Sequence, residues 1–155
     1  LPPEFPVRVL TAEGELLSTE ADLVVIPAAD GEIGILDRHV PLLALLKPGP
    51  LHVVRAGNED IFFVSGGFVD VGRDQDNQTI VTVLADSGEH AADIDEARAE
   101  ESRREAERQV EQRHGSEGYT DAVAHLERSV GRIRVAELAK RRRSNRDRRP
   151  PTPPA

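Results

Sequence analysis

The chain has 155 residues, 28 acidic and 20 basic side chains, and a formal charge of −8. Hydrophobic residues at 38 % and charged residues at 31 % suit a soluble globular protein rather than a disordered one. The absence of cysteine excludes disulfides and thiolate-bound zinc, and no stretch approaches the ~18 to 20 apolar residues of a membrane-spanning helix.

The N-terminal stretch "LPPEFPVRVL" has no basic leader ahead of an apolar run, so no secretory signal is expected there. The first part of the chain then reads as strands. "PVRVLT", "ADLVVIPA", "GEIGIL", "PLHVVRA", "DIFFVSG", "GFVDVG" and "TIVTVLA" are short, β-branched, and separated by Gly, Pro, Asp or Asn. No helical pattern intervenes between them, which argues against βαβ units and for an antiparallel β sandwich over residues 1–90. The core must be built from Val, Leu and Ile, since the only aromatic residues are Phe5, Phe62, Phe63, Phe68 and Tyr119. The glycines of "VSGGFVDVG" are expected where strands turn or bulge, not as a phosphate loop, which needs a following helix.

The pattern changes after Asp86, and "HAADIDEARAEESRREAERQVEQRH" is rich in Ala, Glu and Arg without Gly or Pro, which predicts a helix. Asp93 and Glu96 have capping-box spacing and put its start near Ile94. Glu100 and Arg104 form an i,i+4 pair. "HGSEG" ends the helix, with Gly115 as its cap. A second helix is expected from about Tyr119 to Lys140, with Val123, Leu126, Val130 and Ile133 along one face. The result is a helical hairpin over residues 91–142. The first helix offers only Ile94, Ala97, Ala106 and Val110 as apolar contacts, so the hairpin is expected to dock lightly and to be able to detach.

No cluster has the spacing of a catalytic or metal site. Glu111 and His114 give one Glu-x-x-His, half of a di-iron signature whose other half is missing, and a solvated helix end is favoured. Charge is zoned: residues 1–90 hold 15 acids and 5 bases, residues 91–138 hold 12 and 8, and residues 139–155 hold 1 and 7. The basic, proline-rich end "KRRRSNRDRRPPTPPA" has three readings. It binds nucleic acid through phosphate neutralisation, it is a solvated disordered end over residues 143–155, or it extends the second helix onto an acidic protein surface. On the residues alone, solvated disorder is favoured.

Four blocks, "DGEIGILDRHVPLLALLKPGPL", "VSGGFVDV", "VTVLAD" and "IDEARAE", together with "HGSEGYTDAVAHLERSVGRIRVAELAKR", resemble the epsilon subunit of the bacterial F-type ATP synthase over roughly residues 7–142. The resemblance implies a non-catalytic subunit of the central stalk, one copy per complex, bound to the gamma subunit and to the c ring. It also implies a peripheral location on the cytoplasmic face of the cell membrane, reached only through the c ring, with proton flow driving the ring's rotation. The hairpin would fold down on the sandwich or extend into the alpha-beta head and block ATP hydrolysis. Glu32 and His39 match the region that faces the c ring, although Asp37-Arg38 replaces the usual Pro-Gly before the histidine. Asp95 and Arg98 match a signature with which some members bind regulatory ATP, with Arg103 and Arg132 as helpers; no cofactor is required. Arg132, Arg134, Lys140, Arg141 and Arg142 match bases that face an acidic stretch of the beta subunit. Gly118 stands where the family often has an acidic cap. Two functional alternatives are a stand-alone ATP-sensing module using Asp95 and Arg98, and a nucleic-acid adaptor using the tail.

Overall fold

The computed structural model describes residues 2–148. Eight strands come first: β1 (Phe5–Thr11), β2 (Gly14–Ala21), β3 (Leu23–Ala28), β4 (Gly31–Ile35), β5 (Leu42–Arg55), β6 (Asn58–Arg73), β7 (Thr79–Ala85) and β8 (Gly88–His90). A 3-10 turn, Ala91–Asp93, leads to α1 (Glu96–Gln112) and α2 (Tyr119–Asp147). The strands run in the order β2-β1-β7-β6-β5-β3-β4, with β8 added to β6. They close over one core of small and branched side chains that includes Phe5, Val7, Val24, Ile26, Ile35, Leu51, Val69 and Val81. Burial of each large apolar side chain contributes roughly 1.5–3 kcal/mol.

The sandwich expected from the sequence is present, with details that composition did not reveal. All pairs are antiparallel except β1 with β7, which run parallel. The whole length of β2 to β6 lies between them, so no helical crossover is required. Two strands are long rather than short. "DIFFVSG" and "GFVDVG" are one strand, β6, in which Gly66 and Gly67 both take positive φ. A Cβ on Gly67 would sit 2.0 Å from the Leu84 carbonyl oxygen, so only glycine allows β7 to approach. At that kink the outer partner of β6 changes from β8 to β7.

β6 is buried continuously from Ile61 to Gly66 because both its faces are covered there. Phe62 and Val64 point into the sandwich. Ile61 and Phe63 alternate to the other face and join Ile94, Ala99, Val135, Ala136 and Ala139 in a second cluster beneath the hairpin. The hairpin is therefore docked, and α2 rather than α1 lies against β5 and β6.

Several helix expectations are corrected. The cap of α1 is Asp95, whose Oδ1 accepts from the Arg98 N–H at 3.1 Å; Asp93 sits one turn earlier, in the 3-10 turn capped by His90. Glu100 pairs with Arg103, not Arg104. Ala97 is exposed, while Ala99 and Ala106 are buried. In α2, Val123, Leu126, Val130 and Ile133 are only half-buried. Its buried side is a stripe of Ala122, Ser129, Gly131, Val135, Ala136 and Ala139. α2 runs past Arg142, the expected hairpin boundary, to Asp147, so Arg143–Asp147 are helical rather than disordered. The rest of the expected tail, from residue 149 on, lies outside the described residues.

Candidate functional site: a docked hairpin and an outward apolar stripe

Small residues set how closely α2 approaches the sheet. Gly131 faces the Phe63 ring and Pro48, and a Cβ there would meet Phe63 Cε2 at 2.9 Å. Between the two helices, Ser102 and Ser129 share a hydrogen bond of 3.1 Å, and the Ser129 hydroxyl also bonds the His125 carbonyl at 3.1 Å. At the hairpin turn, His114 makes an edge contact with Tyr119, with ring centroids 5.2 Å apart. α2 begins at Gly118, φ 86°, with no side-chain cap.

Polar pairs frame this seam. Arg132 Nε donates to Glu89 Oε1 at 2.5 Å. Lys140 Nζ lies 2.6 Å from Glu96 Oε1, tying α2 to the start of α1. Arg142 Nη1 lies 3.1 Å from Glu59 Oε2, and Arg146 Nη2 donates to Asn58 Oδ1 at 3.3 Å. Arg134 and Arg141 are exposed, and with Lys47 and Glu32 they border a cleft of about 640 Å³ between β4, β5 and α2. Of the five bases expected to meet a beta subunit, three are thus already held by carboxylates of this chain.

Three of the four residues of the expected nucleotide site are otherwise engaged. The Asp95 carboxylate is spent on its cap, and the Arg98 side chain is exposed. Arg103 is gripped by Glu100 and Glu107, and Arg132 by Glu89. The hydrogen bond from Arg103 holds the Glu100 carboxyl below its ordinary range and raises the Arg103 guanidinium in turn. Two cavities on the seam are lined by other residues.

Glu32 is exposed on β4, opposite Pro27 of β3. His39 belongs to a tightly held turn. Its N–H donates to the Leu36 carbonyl at 3.1 Å, and its Nδ1 bonds the Val40 carbonyl at 2.8 Å. Arg38, just before His39, takes φ 64°, the left-handed region that glycine adopts readily. Its N–H donates to Thr79 Oγ1 at 2.7 Å, and its carbonyl accepts from Arg73 Nη2 at 2.9 Å. The turn is therefore held by its own hydrogen bonds with Asp37-Arg38 in place of a Pro-Gly pair.

A further surface was not foreseen in the sequence. Leu45, Phe68 and Leu84 are register partners across β5, β6 and β7, and each is about half exposed or more, at 57 %, 48 % and 48 %. Leu43, two residues before Leu45 on β5, adds exposed apolar area on the same face, and Val40 and Leu36 are also exposed. The alternation in "PLLALL" carries the signal: Leu42, Ala44 and Leu46 turn towards the core while Leu43 and Leu45 turn out. A contiguous apolar stripe of this kind marks a docking surface.

Comparison with known proteins fits this arrangement. The family model described as the beta-sandwich domain of the ATP synthase delta/epsilon chain matches residues 4–91, and that of its long alpha-helix domain matches residues 92–137. The ATP synthase epsilon chain of Herpetosiphon aurantiacus is 41 % identical over 136 residues, covering 88 % of this chain and 96 % of the relative. ATP synthase epsilon chain 1 of Methylococcus capsulatus is 42 % identical over 132 residues, covering 84 % and 91 %. A chain in the cryo-EM structure of the Euglena gracilis mitochondrial ATP synthase shares the fold, with a TM-score of 0.73 at 21 % identity over 89 % of this chain and 83 % of that one.

Proposed function

This chain belongs to the ATP synthase delta/epsilon family, and from that premise we propose that it is a non-catalytic central-stalk subunit that couples rotation of a c ring to ATP synthesis and restrains ATP hydrolysis with its hairpin. The observation that carries the reading is the seam: Arg132, Lys140 and Arg142 are held on the chain's own Glu89, Glu96 and Glu59 over a contact of small side chains. Such pairs re-form with any well-placed carboxylate, so an acidic surface of a beta subunit competes for the same bases. The apolar stripe of Leu45, Phe68 and Leu84 is the proposed gamma-facing surface. Glu32 and the His39 turn are the proposed contacts with the c ring. No described helix is long and apolar enough to cross a membrane, and the proposed location is peripheral, on the cytoplasmic face and through the c ring.

The test is ATP hydrolysis by a catalytic head that contains gamma but lacks this subunit. The full chain is added back beside a chain ending at His90. Slower hydrolysis with the full chain alone supports the brake. Equal rates, with both forms bound to gamma, would leave coupling as the sole role.

A further inference from the structure

We propose that the last turns of α2 clamp the hairpin down on the sandwich through Glu59, so that the basic end of this chain favours the docked pose over the extended one. The proposal rests on the reading above, in which the extended hairpin is the brake, and it assigns the basic end the opposite effect to an added inhibitory contact.

The family match to the helical domain ends at residue 137, whereas α2 continues to Asp147. Within that added length, both Arg142 and Arg146 reach the end of the β5–β6 hairpin, one to Glu59 and one to the adjacent Asn58. Glu59 is prepared for this role. Its Oε1 bonds His52 Nδ1 at 2.7 Å, and its Oε2 is left for Arg142 at 3.1 Å. The His52 side chain is 8 % exposed and that of Glu59 20 %, so the imidazole holds the carboxylate in one orientation before the helix arrives. Orienting the acid in advance removes much of the entropy that a surface ion pair loses on forming. His52 is thus a positioning residue and Glu59 the catch. The charge zones agree with the direction, since residues 139–155 hold 7 bases against 1 acid and residues 1–90 hold 15 acids against 5 bases. Arg142 remains 57 % exposed, so the clamp opens readily and weakens with salt.

Substitutions on the sandwich side separate the two directions, because they leave every base of α2 in place. The chain has no cysteine, so spin labels at Ala12→Cys and Ser144→Cys read the distance between the sandwich and the helix end without interference. In the full chain, Glu59→Gln is expected to lower the docked-to-undocked ratio about two- to fivefold. Arg142→Gln is expected to do the same, and the double variant to go little further. His52→Ala is expected to give part of the effect. Added to the gamma-containing head, Glu59→Gln is then expected to slow hydrolysis below the rate seen with the parent chain. If the distance distributions of Glu59→Gln and Arg142→Gln match the parent, the clamp is wrong, whatever hydrolysis does. If the distances change and hydrolysis does not, the clamp stands and the brake is what fails.

Discussion

Replacing Gly131 by alanine is expected to release the hairpin while making its helix intrinsically better. Alanine is favoured over glycine in a helix interior by about 1 kcal/mol. That preference acts on α2 whether it is docked or free, so it cancels from the balance between poses. The steric effect does not cancel. The added Cβ would meet Phe63 Cε2 at 2.9 Å, Phe63 Cζ at 3.7 Å and Pro48 Cβ at 3.6 Å. Phe63 is only 3 % exposed, so its ring has little room to move away. Overpacking of this kind costs about 1–3 kcal/mol, which is a shift of roughly 5- to 150-fold towards the undocked state. Amide hydrogen exchange is the assay. Protection of Val135–Ala139 should fall, while that of the sandwich core at Val69 and Val81 should hold. Phe63→Leu in the same chain should restore part of the docking by making room. Unchanged protection in α2 would show that the helix does not rest on Phe63 as described and would refute the argument.

Three other perturbations separate roles that the sequence alone leaves mixed. Phe68→Asp or Leu45→Asp on the exposed stripe should leave stability within about 0.5 kcal/mol and weaken binding to gamma about tenfold or more in a pull-down titration; undiminished binding would move the gamma contact elsewhere. Asp95→Ala should lose about 1 kcal/mol of α1 stability as its cap disappears, whereas Arg98→Ala should leave helicity intact. In calorimetry the parent chain should take up ATP no more tightly than about millimolar, because Arg103 and Arg132 are already paired, and a tight site lost in Arg98→Ala would overturn this. Glu100 gives a pH signature: its carboxyl is held below its ordinary value by Arg103, so its contribution is complete above that value and disappears as pH falls through the lowered one. Glu100→Gln should therefore reduce α1 helicity, followed by circular dichroism, at pH 7, and the difference from the parent chain should shrink as pH falls through the lowered value.

The sandwich and the hairpin were legible because their signals are local: turn residues between β-branched runs, then an Ala, Glu and Arg stretch free of breakers. Strand β5 was only half visible, because Pro48, Gly49 and Pro50 read as breakers. They are tolerated where the ladder to β3 is interrupted, between the pairs Val25–His52 and Ala28–Leu46, so the missing proline N–H groups leave no neighbour on that side without a donor. The first cap was misplaced because Asp93 and Asp95 both offer an acid three residues ahead of a plausible turn, and only the 3-10 turn between them decides. Individual bases of α2 were named from the sequence, but their partners were not. Glu59 and Arg142 are far apart in the chain, and nothing in local pattern joins them.

Those unseen partners bear on how the proposed hairpin switch would work. A face built from the half-buried Val123, Leu126, Val130 and Ile133 would hold by bulk apolar area, and leaving it would expose several large side chains at once. The buried stripe is instead Ala122, Ser129, Gly131, Val135, Ala136 and Ala139, with a single large apolar residue among them. The large apolar groups of this seam lie mostly on the sheet side, where Ile61 and Phe63 are buried beneath the hairpin, and the polar frame adds to what their burial contributes. Arg132, Lys140 and Arg142 are 29 %, 61 % and 57 % exposed in their pairs, which keeps each contribution modest and sensitive to salt. Docking on such a seam is specific in geometry, and the charges at its rim make it sensitive to salt. On the proposed function, a competing acidic surface would draw on the same bases, and a well-oriented catch such as Glu59 would add weight to the docked side of the balance.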